Sequence, residues 1–76
     1  MKKYLVTGGT GFIGSALVRS LYKSGNFIRV LDNDLRGATS RLNDISGKIE
    51  IIKSDIRDPK SVQEACRGMD GVCHLA

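Results

Sequence analysis

The chain has no tryptophan, one proline, one histidine and two cysteines among its 76 residues. Cys66 and Cys73 stand seven positions apart with no second pair to join them. A structural zinc site needs about four Cys or His ligands, and a disulfide framework needs several spaced cysteines, so neither is supported. Both cysteines are read as small buried apolar residues. Long apolar runs are missing as well, since no stretch approaches the roughly 18 consecutive apolar residues of a membrane helix. Lys2 and Lys3 imitate the basic start of a signal peptide, but only Tyr4, Leu5 and Val6 follow before a Gly/Thr loop. A signal peptide needs roughly 7 to 15 apolar residues there, so the chain is expected to stay in the cytoplasm, with no membrane partner.

Charge of one sign is not concentrated either. The net charge is +4, yet the twelve Lys/Arg residues are scattered from Lys2 to Arg67, and Lys2-Lys3 is the one adjacent pair. Nucleic-acid binders gather such charge on a face or stripe, so a solvated surface is the reading and no nucleic-acid partner is expected. At 41% hydrophobic and 26% charged residues, the composition is that of an ordinary soluble protein. A chain this short forms at most one small domain, burying only about 60% of the surface it exposes when unfolded, so its stability is marginal.

What the chain does have is an alternation of short apolar runs and helical periodicity. Tyr4-Leu5-Val6 ends in Thr7-Gly8-Gly9, and Phe12, Ile13, Ala16, Leu17 and Leu21 then recur at the spacing of a helix face up to Ser24-Gly25. Phe27 to Leu31, Ile49 to Ile52 and Val72 to Leu75 are three further runs, short and apolar or β-branched, as suits strands buried on both faces. A short helix is expected over Thr39 to Ile45, bracketed by Gly37 and Gly47. A better-marked helix follows Asp58, which can cap it, with Pro59 at its first position and Gly68 to close it. The fold class is therefore α/β, a Rossmann-type doubly wound parallel sheet with right-handed crossovers, expected strand order 3-2-1-4.

Gly9, Gly11 and Gly14 form G-x-G-x-x-G between a strand and a helix, the context that makes this pattern informative. The first glycine permits the tight turn, the second lets a pyrophosphate approach the backbone, and the third lets the helix pack close to the strand. The phosphates then meet free N–H groups and the positive end of the helix dipole from Phe12 onward. Asp32 ends the second strand 18 residues after Gly14. That is close to the roughly 20-residue offset of an acid that binds the adenine ribose hydroxyls. Its charge would repel a 2′-phosphate, which favours NAD over NADP, although Arg36 stands near enough in sequence to meet such a phosphate.

Thr7-Gly8-Gly9-Thr10-Gly11-Phe12-Ile13-Gly14 resembles the T-G-x-x-G-x-x-G loop of extended short-chain dehydrogenases/reductases, in the form typical of the NAD-dependent epimerase/dehydratase family acting on nucleotide sugars. The resemblance covers the whole chain. It implies that the cofactor contacts come from Gly8, Gly11, Phe12, Ile13 and Gly14. Asp32-Asn33 resembles the family's ribose-binding pair, with the stretch through Arg36 to Gly37 wrapping the adenosine end. Asp55-Ile56 resembles its adenine contact, and His74-Leu75-Ala76 resembles the H-x-A segment whose backbone lies along the cofactor, through Leu75 and Ala76. His74 itself, with no partner acid or nucleophile beside it in sequence, is read as structural rather than catalytic.

The family's catalytic Tyr-x-x-x-Lys is absent, because Asn26 stands where a lysine should follow Tyr22, and Gly8 where one should follow Tyr4. The resemblance therefore implies the N-terminal part of a NAD-binding Rossmann domain over residues 1–76, without catalytic or substrate-binding parts and inactive alone. The parent protein is expected to epimerise, dehydrate, decarboxylate or reduce a nucleotide-linked sugar with transient hydride transfer. Two rival classes stay open, a reductase of non-sugar ketones and a non-catalytic dinucleotide-binding module. Finally, order 3-2-1-4 leaves the fourth strand at an edge without the Lys, Pro or bulge that usually guards one, so a homo-oligomer through that edge is expected.

Overall fold

A computed structural model of the chain describes residues 1–8, 12–33, 41–45, 47–54 and 57–74, with Phe12 described by its backbone. The elements run β1 (Lys3–Thr7), α1 (Phe12–Lys23), β2 (Phe27–Asp32), β3 (Glu50–Lys53), α2 (Pro59–Cys66) and β4 (Gly71–His74). The four strands form one parallel sheet in the order β3-β2-β1-β4 expected from the alternation of elements.

Period-2 alternation divides each strand between two apolar layers. Val6, Ile28 and Val30 face α1 and pack with its Val18, and with Leu42, Ile45 and Ile49 from the connection between β2 and β3. Leu5 and Leu31 face the other way and pack with Ala65, Val62 and Cys66 of α2. Both faces of the two central strands are thus covered, which is why their sequences read as continuous apolar runs.

Arg29 is the exception among those central positions. It sits on the α2 face, where its Nη1 donates to the carbonyls of Ala65 (2.8 Å) and Arg67 (3.1 Å), and its Nε lies 3.2 Å from Glu50 Oε2. A cation therefore satisfies carbonyls left open at the C-terminal end of α2, where the helix dipole is negative. At the other end of α2, Asp58 caps as expected, accepting from Lys60 N (3.1 Å) and Ser61 Oγ (2.9 Å). Gly68 follows the helix at φ 79°, a conformation costly to residues with a side chain.

The third strand is displaced by one residue from the expected Ile49 to Ile52. Pairing with β2 sets its register at Arg29↔Glu50 through Asp32↔Lys53, and Ile49 instead tucks into the layer beside α1. The fourth strand is Gly71–His74 rather than Val72 to Leu75, with Tyr4↔Gly71 the first pair and the Tyr4 ring packed over the glycine. Leu75 lies outside the described residues. Of the short helix expected over Thr39 to Ile45, residues 39–40 lie outside the described residues, and 42–45 run as turns closed by Ile45 N to Leu42 O at 3.0 Å. Cys66 and Cys73 are free thiols and only half-buried, which corrects the expectation of full burial. Cys73 lies on the edge strand, where its second flank has no neighbour among the described residues.

Candidate functional site

In an open parallel sheet, ligands bind beyond the carboxyl ends of the strands, at the point where successive connections leave to opposite faces. That point lies between β1 and β4, because α1 covers one face after β1 and α2 covers the other before β4. The ends of all four strands, Thr7, Asp32, Lys53 and His74, lie along this rim.

Gly8 leaves β1 at φ 73°, a left-handed conformation that a Cβ would strain, and its N–H donates to Leu31 O at 3.1 Å. The turn that begins the glycine loop is thus anchored to the neighbouring strand just before Asp32. Helix α1 then starts at Phe12 with no acid in its first turn, where the dipole end is positive. Gly14 is buried in that turn, as a close helix–strand approach requires, whereas Ile13 is 75% exposed. Asp32 is half-buried at the end of β2, its carbonyl accepting from Ser54 N at 3.0 Å, and Asn33 is exposed beyond it. The structure therefore brings Gly8, the first turn of α1 and Asp32 to one rim. Gly11, Arg36, Asp55, Ile56, Leu75 and Ala76 lie outside the described residues.

Two relationships at or near this rim are not legible from the sequence motifs. Thr7, 2% exposed, has its Oγ1 2.7 Å from His74 Nδ1, across the register pair Thr7↔His74. The available signal was positional, since a hydroxyl and an imidazole end strands that the order 3-2-1-4 makes neighbours. On α1, Arg19 grips Asp44 through two nitrogens, Nη1 to Oδ2 and Nη2 to Oδ1, each at 2.6 Å, and Nη2 also donates to the carbonyl of Arg41. The hydrogen bond from Arg19 holds the Asp44 carboxyl below the usual carboxylate range, and the same bond raises the Arg19 guanidinium. No sequence pattern links these residues, which stand 25 positions apart.

Open grooves lie elsewhere as well. One runs between α2 and β3 beside Arg29, Glu50 and Glu64, and another lies under the opposite ends of the strands beside Tyr22, Lys23 and Lys48. The first reaches Lys53 at the end of β3 and Ser61 in the first turn of α2, and the second is lined by Gly25, which stands at φ 86° in the turn after α1. Among the described residues no group of His, Cys, Asp and Glu is arranged to hold a metal ion, and no helix is long and apolar enough to cross a membrane.

The parallel order β3-β2-β1-β4, with a glycine turn, a helix start and an acid on one rim, defines a Rossmann-type unit. The chain belongs to the 3-beta hydroxysteroid dehydrogenase/isomerase family, whose model matches residues 5–76.

Its relatives also bear out the resemblance to the extended short-chain dehydrogenases/reductases of the NAD-dependent epimerase/dehydratase type. The chain is 45% identical over 82 residues to a UDP-glucose 4-epimerase of Neisseria meningitidis serogroup B, covering 100% of this chain and 24% of that protein. It is 40% identical over 75 residues to a UDP-N-acetyl-alpha-D-glucosaminuronate decarboxylase of Bacillus cytotoxicus, covering 99% of this chain and 23% of the relative. Among solved structures, a UDP-glucose 4-epimerase from Stenotrophomonas maltophila with bound NAD and formylated UDP-arabinopyranose superimposes with a TM-score of 0.85. It is 29% identical, and the match covers 100% of this chain and 24% of that one. The chain thus spans about a quarter of the length of the proteins it matches.

Proposed function

We propose that the chain is the NAD-binding portion of a nucleotide-sugar epimerase/dehydratase-type enzyme, corresponding over residues 1–76 to the N-terminal part of its Rossmann domain. The observation that carries this reading is the placement of Asp32 on the same rim as Gly8, whose N–H is bonded to the residue preceding that acid. In this reading Gly8, Gly11 and Gly14 give the pyrophosphate access to backbone N–H groups around Phe12 and Ile13. Asp32 and Asn33 take the adenine-side ribose, Arg36 lies along the adenosine end, Asp55 and Ile56 take adenine, and the backbone of Leu75 and Ala76 flanks the remainder.

In this reading the residues suit NAD in charge. A carboxylate at Asp32 would accept from ribose hydroxyls and oppose a 2′-phosphate, while the positive end of the α1 dipole would attract the pyrophosphate. Bound NAD would supply reversible hydride acceptance from a sugar carbon. This chain's own residues would bind and orient it, and proton transfer would fall to other residues of the parent protein. A homo-oligomer formed through the β4 edge is part of the same reading.

The name of the matching family favours a second reading, in which the parent protein acts on a ring ketone or alcohol outside the sugars. The cofactor part would be the same in both.

Calorimetric titration with NAD and NADP tests the cofactor assignment. Wild type should prefer NAD, and Asp32→Ala should narrow the preference, since it removes both a hydrogen bond and a repulsive charge. An unchanged ratio of dissociation constants would take Asp32 out of the site.

A further inference from the structure

We propose that the groove under the N-terminal ends of the strands is a second ligand site, one that takes a planar aromatic ring carrying a phosphate, as in a mononucleotide. It lies at the end of the sheet opposite the rim and does not depend on what the rim receives.

The parallel sheet builds this groove from residues far apart in sequence. All four strands begin at one end, and α1 finishes there too, so Tyr22, Lys23 and Gly25 come to lie beside Lys48, which stands just before β3. Lys2 joins them ahead of β1, its N–H donating to Asn26 Oδ1 (3.2 Å) and its carbonyl accepting from Phe27 N (2.9 Å). Charge that is scattered along the sequence is thus gathered by the fold.

Lys23 and Lys48 line the groove, and no carboxylate lines it. Neither lysine pairs with an acid within salt-bridge distance among the described residues. The acid that Lys23 does influence is Asp44, and both oxygens of that carboxylate are held by Arg19. Nor is Lys23 required to close α1, because the carbonyls of Ser20, Leu21 and Tyr22 already accept from the N–H groups of Ser24, Asn26 and Gly25. Two cations around one groove, committed to no other partner, attract a single phosphate, for which lysine serves as a point charge. A nucleic-acid strand would call for a longer basic stripe.

Tyr22 supplies the aromatic wall. It is half-buried, packed against the apolar layer between the sheet and α1 and lining the groove. Gly25 stands at φ 86°, and a Cβ there would meet nothing within 4 Å, so the space beside it is clear. The groove holds about 510 Å³, within the roughly 300–1,000 Å³ of small-ligand clefts.

NMR titration of the 76-residue chain with phenyl phosphate, inorganic phosphate and phenol tests the two halves of this recognition. Phenyl phosphate should shift the signals of Tyr22, Lys23 and Lys48 saturably, with a Kd of about 1 mM or tighter. Inorganic phosphate and phenol, each offering one half, should bind at least about fivefold more weakly. Shifts confined to Gly8 and Ile13 would put the probe at the rim and overturn the proposal, as would equal affinity for phenyl phosphate and inorganic phosphate.

The Lys23→Gln/Lys48→Gln variant, altered at exposed positions, should weaken phenyl phosphate about tenfold and leave phenol unchanged, the loss being that of a charge-assisted contact. Tyr22→Leu should weaken phenyl phosphate about fivefold and leave inorganic phosphate unchanged, as loss of a stacking contact requires. Tyr22→Phe keeps the ring and should stay within about twofold of wild type. Should Tyr22→Leu fail to fold, the lysine variant and Tyr22→Phe carry the test. Wild-type affinity for phenyl phosphate in the lysine variant or in a folded Tyr22→Leu would overturn the proposal, and so would the absence of saturable shifts in wild type up to about 20 mM.

Discussion

Arg19 and Asp44 are joined by two parallel hydrogen bonds of 2.6 Å, linking the middle of α1 to the turn that precedes β3. The geometry is the fork-to-fork pairing in which arginine exceeds lysine, and it is reinforced by the bond from Arg19 to the carbonyl of Arg41. The segment that this clamp closes contains residues 34–40, where the adenosine end of the cofactor is proposed to lie.

The clamp should be lost in acid. The Asp44 carboxyl is held below its usual value of about 3.9, so its contribution is fully present above that value and disappears as pH falls through the lowered one. Thermal melts of wild type and Asp44→Asn should therefore differ at pH 7 and converge as the pH falls below the usual carboxylate range. A gap that stays constant over that range would mean that ionisation of Asp44 does not support the fold.

Arg29 gives a sharper stability test, because it is partly buried, at 17% side-chain exposure, and serves α2 and β3 together. Arg29→Ala removes a charged donor from the Ala65 and Arg67 carbonyls and should cost about 2 kcal/mol in urea unfolding. Glu50→Gln leaves those two bonds in place, and Glu50 is 45% exposed, so its cost should stay under about 1 kcal/mol. Equal losses in the two variants would show that the ion pair, rather than the helix-end bonds, carries the effect.

The edge of β4 leads to a prediction about assembly. Val72 is 51% exposed on the face that α2 covers elsewhere, and among the described residues β4 pairs on one side only. Its sequence, Gly-Val-Cys-His, has no lysine or proline to guard the edge. The chain should therefore sediment as a dimer or larger at about 50 μM, where association with a Kd near 1 μM is saturated. Val72→Lys should shift it toward monomer. A folded wild-type monomer at that concentration would exclude pairing through this edge.

Much of this fold was legible because its signals are local. The glycine loop after Tyr4-Leu5-Val6, the Asp58-Pro59 start of α2 and the closure at Gly68 each depend on a few adjacent residues, and the strand order follows from their alternation. The start of β3 was misplaced by one residue because Ile49 is apolar for a different reason, its burial against Leu42 and Ile45 rather than in the sheet. The half-buried state of Cys66 and Cys73 was not legible, since an apolar residue in a strand or helix pattern reads as covered whether or not a neighbour is there. The roles of Arg29, Arg19 and Thr7 were hidden because their partners lie 36, 25 and 67 positions away, where only the folded topology makes them neighbours. For the candidate site, the motif located the rim, and the structure added the bond between Gly8 and Leu31 that ties the glycine turn to the acid-bearing strand.

The central claim is that the glycine loop receives a dinucleotide pyrophosphate, and the most direct measurement is calorimetric titration of wild type and Gly11→Val with NAD, with circular dichroism to establish that both are folded. A side chain at position 11 would occupy space proposed for the pyrophosphate. The account predicts saturable one-to-one NAD binding by wild type and loss of detectable binding in a folded Gly11→Val. Equal affinity in the two folded proteins would contradict it.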